Sequence, residues 1–336
     1  MGNQFSQAFP PAAKFTETSL PDLKGKVYIV TGANAGVGKE LSRLLYAHNA
    51  TVYLAARNAE KAHAAISWIK QSSPNSRGGA LHYLHLDLND LEGIKASAEE
   101  FLSKEGRLDV LFNNAGVMMP PQGSTTNQGY ELQLGTNCVA PFLFTKLLTP
   151  LLVKTAKESR AGTVRVVWVS SSAAHLASPK GGVEMDNLDY KKGGDKSAMF
   201  KYGVSKAGNV LHALEFQRRY KKEGIVSVAL NPGNLTTDLA RHVSALQAFF
   251  IRMITYPPVN GAYTELFAGL SPDVAASLQQ NEWVIPFGRI TALRKDLAQA
   301  GLGRGGGVGT RRDFGSGVRS RLCGMFEDGG GNGAVI

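Results

Sequence analysis

The chain has 336 residues, of which 43% are hydrophobic and 19% charged, a balance typical of a globular domain with a buried core. Its formal charge of +10 could indicate a nucleic-acid partner, but the basic residues are scattered and lack interleaved aromatic residues, so we expect no nucleic acid. A basic surface that attracts an anionic small molecule explains the charge more simply. The two cysteines and seven histidines form no metal-binding motif, so we expect no metal site, and Cys138 is interpreted as a packed small residue.

The first predicted elements are a strand, a glycine-rich turn and a helix. Residues 26–30 are strongly apolar, as in a strand buried on both faces, and the turn 31–38 follows at once. Glycines let the backbone approach a pyrophosphate, and the N-terminus of the next helix offers free N–H groups to it. We therefore predict a dinucleotide site, with a turn used only for tight packing as the alternative. The predicted contacts in this turn are Gly32, Asn34, Gly36, Val37 and Gly38.

The second strand, predicted at residues 51–55, is followed by Arg57. A chain that binds NAD carries an acidic residue near this point for the ribose 2′-hydroxyl. The planar guanidinium of Arg57 suits a 2′-phosphate instead, so the sequence predicts NADP(H). A solvated surface arginine is the alternative.

Two further apolar runs end in polar or small residues. Residues 81–86 are followed by Asp87 and Leu88, and residues 110–112 by the segment 113–116. Ligands of parallel α/β sheets bind outside the carboxyl ends of the strands, so these segments are predicted to border one crevice. The predicted cofactor contacts here are Asp87, Leu88, Asn114, Ala115 and Gly116.

Tyr202 and Lys206 are four residues apart and share one face of a predicted helix. A lysine ammonium beside the phenol would favour the ionised form of the tyrosine, whose pKa is otherwise roughly 10. The tyrosine would then act as an acid–base catalyst near neutral pH. This pattern is weak alone, and its value comes from the motifs that precede it.

In this order, the motifs resemble those of the short-chain dehydrogenase/reductase family across roughly residues 24–290. The segment 31–40 and the Arg57-Asn58 pair resemble the retinol-dehydrogenase-like and fungal NADP-dependent members. The resemblance implies a single α/β domain with a Rossmann-type, doubly wound parallel sheet. Alternating apolar strands and helical segments favour the same arrangement.

The resemblance also implies a catalytic tetrad of Asn137, Ser171, Tyr202 and Lys206. Ser171 is chosen because the family pattern ends a strand in two serines with the second catalytic, and Ser172 is the fallback. Ser171 would hydrogen-bond the substrate, Tyr202 would transfer the proton, Lys206 would lower the tyrosine pKa, and Asn137 would hold a water.

Further cofactor contacts follow from the same resemblance. Tyr202 and Lys206 are also expected to contact the cofactor, Lys206 at the nicotinamide ribose hydroxyls. Pro232 and Gly233 would line the cofactor pocket, and Thr237 would lie near the nicotinamide carboxamide. Together with Arg57, these contacts predict NADP(H) as the cofactor.

The predicted activity is NADP(H)-dependent interconversion of an aldehyde or ketone and an alcohol on a lipophilic small molecule. The alternatives are reduction of an activated double bond and a non-catalytic NADP(H)-binding sensor or scaffold. Apolar residues at helical spacing within 246–254 predict either a lipophilic lid over the substrate or an ordinary core helix. The long interval between Ser171 and Tyr202 predicts a surface excursion near the mouth of the site. The resemblance also suggests a homo-oligomer.

The chain is divided into an N-terminal extension (1–23), the catalytic domain (24–298) and a glycine-rich tail (299–336) for which little order is expected. A flexible tail and a shifted reading frame both explain the tail's composition. No run of about eighteen apolar residues is present, so the protein is expected to be cytoplasmic. Gly2 and Ser6 fit a myristoylation pattern, which would add at most weak, peripheral membrane contact.

Overall fold

The computed structural model describes residues 2–74, 76–236, 255–277, 279 and 281–301. Thr237, the apolar segment 246–254 and the tail from residue 302 onward lie outside the described residues. The strands are β1 (Val27–Thr31), β2 (Thr51–Ala56), β3 (Ala80–His85), β4 (Val110–Asn113), β5 (Val164–Val169), β6 (Ile225–Leu230), β7 (Glu282–Ile285) and β8 (Arg289–Ala292).

Helices connect most of these strands. They are α1 (Gly2–Ala8), α2 (Gly36–Ala47), α3 (Ala59–Ser72), α4 (Leu91–Lys104), α5 (Leu132–Leu134), α6 (Ala140–Lys157), α7 (Ala173–Leu176), α8 (Ala198–Tyr220), α9 (Pro258–Leu270), α10 (Pro272–Ser277) and α11 (Lys295–Gly301). Short 3₁₀ turns lie at Glu17–Ser19 and Lys221–Glu223, and a π-helical turn, Gly135–Val139, joins α5 to α6.

The strands form one sheet in the order β3-β2-β1-β4-β5-β6-β7-β8. Strands β1 to β7 run parallel, and β8 pairs antiparallel with β7. The predicted doubly wound parallel sheet is therefore confirmed. The strand order reverses between β1 and β4, and ligands of such sheets bind at the carboxyl ends of the strands beside this reversal.

Both faces of the sheet are buried, which is why its central strands are almost wholly apolar. On one face, side chains of α4, α6 and α8, including Phe101 and Leu148, pack with Trp168 of β5. On the other face, side chains of α2, α3 and α9 pack with Phe112 of β4. Gly269 of α9 lets that helix approach closely, because a Cβ there would lie 2.4 Å from the Phe112 ring.

Two predicted segments differ in the structure, and the N-terminal extension is folded where no structure was predicted. The segment between Ser171 and Tyr202 is more than a surface excursion, because Val183, Leu188 and Tyr190 are buried in the core. The last helix, α11, runs three residues past the predicted domain boundary at 298. The N-terminal extension contains α1 and contributes a buried side chain, Gln7.

Within the part of the chain that the structure describes, one helical stretch, Leu132–Lys157, is long and apolar enough by composition to cross a membrane. Within the most apolar part of that stretch, 67% of the residues are buried in the protein. Its apolar side chains, such as Phe144 and Leu152, belong to the core beside the sheet. The stretch is accordingly a core helix of the domain.

Candidate active site

The glycine turn after β1 is built around a close approach to the turn after β4. Gly32 has a φ of +69°, and a Cβ on it would lie 2.9 Å from the Cα of Ala115. A Cβ on Gly38 would lie 2.5 Å from Nδ2 of Asn114. Both positions therefore need glycine, which explains the spacing of these glycines in the turn 31–38.

Asn114 and Ala115 tie the two turns together. The Asn114 side chain donates a hydrogen bond of 2.7 Å from Nδ2 to the Thr31 carbonyl oxygen. The backbone N–H of Ala115 donates to the Thr31 hydroxyl at 2.9 Å. These bonds fix the floor of the crevice at the point where the strand order reverses.

Helix α2 begins at Gly36, on the carboxyl side of the sheet. Its N-cap residue, Ala35, provides no side-chain cap, and its first turn contains no acidic residue. The N–H groups of a helix's first turn have no partner within the helix, so an anion bound there would accept their hydrogen bonds. Asn34, Gly36 and Val37 surround this terminus and are partly exposed. The structure thus places a partly exposed helix N-terminus with no side-chain cap beside the glycine turn.

Three further predicted cofactor residues follow the outer strands. Arg57 comes directly after β2 and is exposed. Asp87 follows β3 and accepts a hydrogen bond of 2.9 Å from the Asn89 backbone N–H, whereas Leu88 is buried beneath it. All three therefore lie at the carboxyl edge of the sheet, as the sequence analysis expected.

Asn137 lies in the π-helical turn between α5 and α6 and is fully buried. Its Oδ1 accepts a hydrogen bond from the Val117 N–H at 2.7 Å, and its Nδ2 donates to the Val117 carbonyl at 2.9 Å and to the Ser205 hydroxyl at 3.0 Å. The π turn inserts one extra residue into the helix, a distortion often found at functional sites. Both N–H donors of Asn137 are used, so a water bound to this residue would have to donate to one of its oxygens.

Lys206 of α8 is buried, and its Nζ donates a hydrogen bond of 2.9 Å to the Val169 carbonyl at the end of β5. Burial lowers the pKa of Lys206 to about 8, an effect that the nearby Cys138 and Glu265 oppose. Lys206 Nζ and Asn137 Oδ1 each lie 3.2 Å from the point where a Cβ on Gly116 would sit. The missing side chain of Gly116 thus leaves space between these two polar groups.

Tyr202 lies one turn before Lys206, whose Nζ is 5.7 Å from the centre of the tyrosine ring. Burial raises the pKa of Tyr202 to about 12, while a hydrogen bond with the Ser171 side chain acts in the opposite direction. Desolvation of the phenolate is the larger of these two effects, so the net shift is upward. Tyr202 is therefore protonated at neutral pH. A lowering of the Tyr202 pKa by Lys206 stays a prediction.

The three consecutive serines after β5 have different partners. Ser170 is buried and donates to the Lys206 carbonyl at 2.7 Å. The Ser171 hydroxyl accepts from the Ala173 N–H at 3.2 Å and hydrogen-bonds to Tyr202. Ser172 is the N-cap residue of α7 and makes no side-chain cap. The structure therefore brings Ser171, rather than its neighbours, to the tyrosine.

The loop after β6 completes the same edge. Pro232 and Gly233 are partly exposed there, and Gly233 has a φ of +102°, which favours glycine. The Gly233 N–H donates to Oδ1 of Asn231 at 3.2 Å. Thr237, the remaining predicted contact, lies outside the described residues.

Comparisons with known proteins agree with this arrangement. A sequence model of the family described as short chain dehydrogenase matches residues 26–183. A short-chain dehydrogenase/reductase of Phomopsis amygdali is 55% identical over 317 residues, which cover 93% of this chain and 94% of that protein. Another from Emericella nidulans is 55% identical over 290 residues and covers 86% and 91%. The chain belongs to the short-chain dehydrogenase/reductase family.

Among solved structures, that of Pseudomonas aeruginosa RhlG in an active-site complex with NADP has a TM-score of 0.59 to this chain. The two are 22% identical, and the match covers 80% of this chain and 96% of the other. At this identity the likeness shows the shared fold. As a short-chain dehydrogenase/reductase, the protein is an oxidoreductase that uses a nicotinamide cofactor and acts on small molecules.

A buried acid of this short-chain dehydrogenase/reductase that lacks a hydrogen-bond partner among the described residues was not predicted from the sequence. Glu265 of α9 is fully buried, and neither of its carboxylate oxygens has a hydrogen-bond partner among the described residues. Burial raises the pKa of Glu265 to about 8, and the charge of Lys206 acts to lower it. The signal in the sequence was that Glu265 is the only charged residue of the segment Pro258–Leu270.

The pKa of Glu265 makes the stability of the protein depend on pH. Its folded-state pKa is raised from 4.5 to about 8, so between these values the folded protein holds a proton that the unfolded chain has released. The free energy of unfolding should therefore fall as pH rises through this window. Glu265→Gln removes the charge, so its advantage over wild type should grow by on the order of 3 kcal/mol from pH 5 to pH 7.5.

Urea unfolding of both proteins at several pH values measures this difference. Glu99→Gln, on the exposed face of α4, is the matched control and should show no such trend. A difference between Glu265→Gln and wild type that stays constant with pH would show that Glu265 is ionised in the folded protein at neutral pH.

Proposed function

We propose that the protein is an NADP(H)-dependent oxidoreductase that interconverts an aldehyde or ketone and an alcohol on a lipophilic small molecule. The observation that carries this proposal is the pairing of the Tyr202 phenol with the Ser171 hydroxyl, one helical turn from the buried Lys206. These groups lie at the carboxyl edge of the sheet, where the glycine turn also lies.

The residues present fit a dinucleotide. Gly32 and Gly38 leave room where a Cβ would clash, and the uncapped terminus of α2 offers N–H donors to a pyrophosphate. When bound, the nicotinamide supplies or accepts a hydride at the carbon of the reacting group. The residues proposed to hold the cofactor are Gly32, Asn34, Gly36, Val37, Gly38, Arg57, Asp87, Leu88, Asn114, Ala115, Gly116, Tyr202, Lys206, Pro232, Gly233 and Thr237.

The protein's own groups supply orientation and the proton. In carbonyl reduction, the Ser171 hydroxyl would hydrogen-bond the substrate oxygen and Tyr202 would donate its proton to that oxygen. Tyr202 is protonated at neutral pH, as this step requires, although burial makes it a weaker acid than a free tyrosine. Lys206, with a pKa of about 8, is suited to replenish the proton of Tyr202. A water beside Asn137 would pass protons to Lys206. Alcohol oxidation would follow the same path in reverse.

A lipophilic substrate is supported by apolar side chains on the segments that carry site residues. Met119 follows the turn after β4, Leu176 ends the helix that follows Ser171, and Met199 precedes Tyr202 in α8. All three are exposed, by 49%, 65% and 43%. Exposed large apolar side chains on the segments of a binding site are suited to contact an apolar ligand.

Replacing Tyr202 with phenylalanine tests the proton donor. Tyr202→Phe should lower kcat by about 10²-fold or more, because the phenyl ring has no proton to give. NADPH affinity, measured by the fluorescence of the bound cofactor, should change little. Tyr220→Phe, near the end of the same helix, is the matched control and should turn over like wild type. Turnover of Tyr202→Phe at the wild-type rate would refute the role of Tyr202.

Arg57 tests the choice of cofactor. Arg57→Asp should weaken NADPH binding by roughly 10-fold or more and improve NADH binding, because a carboxylate repels a 2′-phosphate but accepts from a ribose hydroxyl. Titration of each cofactor into each variant measures the preference. Arg77 is exposed just before β3, at the amino ends of the strands. Arg77→Asp makes the same charge change and should leave the preference for NADPH over NADH unaltered. An unchanged NADPH preference in Arg57→Asp would contradict the assignment.

A further inference from the structure

The segment from Gly2 to Leu20 lies along the domain and reaches the carboxyl edge of the sheet. The rings of Phe15 and Phe267 of α9 pack edge to face at 5.9 Å. Glu17 hydrogen-bonds to Tyr263 of the same helix. We call this segment the N-terminal strap. Its later residues pack along α9, and its first residues reach the loop after β6.

Two contacts hold the far end of the strap on that loop. Oε1 of Gln7 accepts a hydrogen bond of 2.9 Å from Nδ2 of Asn231, and both side chains are buried. Arg289 at the start of β8 donates a hydrogen bond of 2.7 Å from Nη2 to the Ser6 carbonyl. A buried polar bond between residues 224 positions apart in sequence is costly to leave unmade, so it indicates a specific attachment.

Asn231 connects the strap to the proposed cofactor pocket. Its backbone N–H donates to the Val284 carbonyl at 2.9 Å, and its Oδ1 accepts from the Gly233 N–H at 3.2 Å. The other end of the same amide donates to Gln7. Gln7 therefore determines which way the Asn231 amide faces, and that orientation supports the Pro232-Gly233 turn.

If the hydrogen bond between Gln7 and Asn231 is lost, the Pro232-Gly233 turn has little freedom to adopt another conformation. Gly233 has a φ of +102°, and a Cβ on it would lie 3.1 Å from Pro286 and 3.2 Å from Phe287. The turn is therefore packed against the loop between β7 and β8, which Arg289 in turn links to Ser6. The strap, the β7–β8 loop and the Pro232-Gly233 turn form one hydrogen-bonded unit.

We propose that Gln7 is a positioning residue of the active site, which fixes the Pro232-Gly233 turn through Asn231 and makes the N-terminal strap part of the cofactor pocket. The inference rests on the proposed function, because it takes that turn to contact the nicotinamide. Since binding couplings are reciprocal, a cofactor that orders the turn also tightens the strap.

Two substitutions separate the hydrogen bond from simple packing. Gln7→Met keeps the volume of the side chain but removes the acceptor oxygen, whereas Gln7→Glu keeps an acceptor oxygen in either protonation state. Gln7→Met should weaken NADPH binding by roughly 3- to 10-fold, as expected for the loss of one buried hydrogen bond. Gln7→Glu should retain most of the NADPH affinity. Gln71→Met, at an exposed position of α3, should match wild type.

Hydrogen–deuterium exchange supplies a readout that does not depend on activity. In protein without added cofactor, Gln7→Met should speed exchange in residues 231–236, while Gln71→Met should not. In wild type, NADPH should slow exchange in residues 5–15. That second measurement needs no variant, so it stands even if Gln7→Met does not fold.

Equal NADPH affinity and equal exchange in Gln7→Met and wild type would overturn the inference, as would strap exchange that NADPH leaves unchanged. Failure of wild type to bind NADPH would overturn the proposed function instead. In that case the exchange of residues 231–236 in Gln7→Met would still decide whether Gln7 holds the turn.

Discussion

The active site depends on the close contact between the turns that follow β1 and β4. Asn114 reaches across to the Thr31 carbonyl, and the absence of side chains at Gly32 and Gly38 makes that approach sterically feasible. This contact sets the crevice at the reversal of strand order and leaves the N-terminus of α2 open. The remaining groups are placed relative to it, because β4 continues into Gly116, beside Asn137 and Lys206.

Burial then determines the protonation states of the polar groups in this crevice. It raises the pKa of Tyr202 and lowers that of Lys206 to about 8, so the amine has its pKa closer to neutral pH than the phenol. Glu265, on the opposite face of the sheet from α8, is kept largely protonated for the same reason. Desolvation, more than any single ion pair, therefore sets the direction of these pKa shifts.

Much of the fold could be read from the sequence, because strands buried on both faces are nearly continuous apolar runs. The predicted runs at 51–55 and 110–112 each end within one residue of the observed strands. Strand β7 was missed because only Trp283, Val284 and Ile285 mark it. For the site, the sequence indicated which residues gather at the carboxyl edge, but not how their environment acts on them. The direction of the Tyr202 pKa shift depends on burial, and the contact between Gln7 and Asn231 depends on tertiary packing, so neither has a local signal in the sequence.

The measurement that tests the central claim most directly is the absorbance decrease of NADPH, compared with NADH, when wild-type protein is supplied with a series of lipophilic aldehydes and ketones. The account predicts carbonyl-dependent oxidation of NADPH, with a clear preference over NADH and faster turnover of apolar than of small, highly charged carbonyl compounds. Binding of neither cofactor, or turnover restricted to small charged carbonyl compounds, would contradict it.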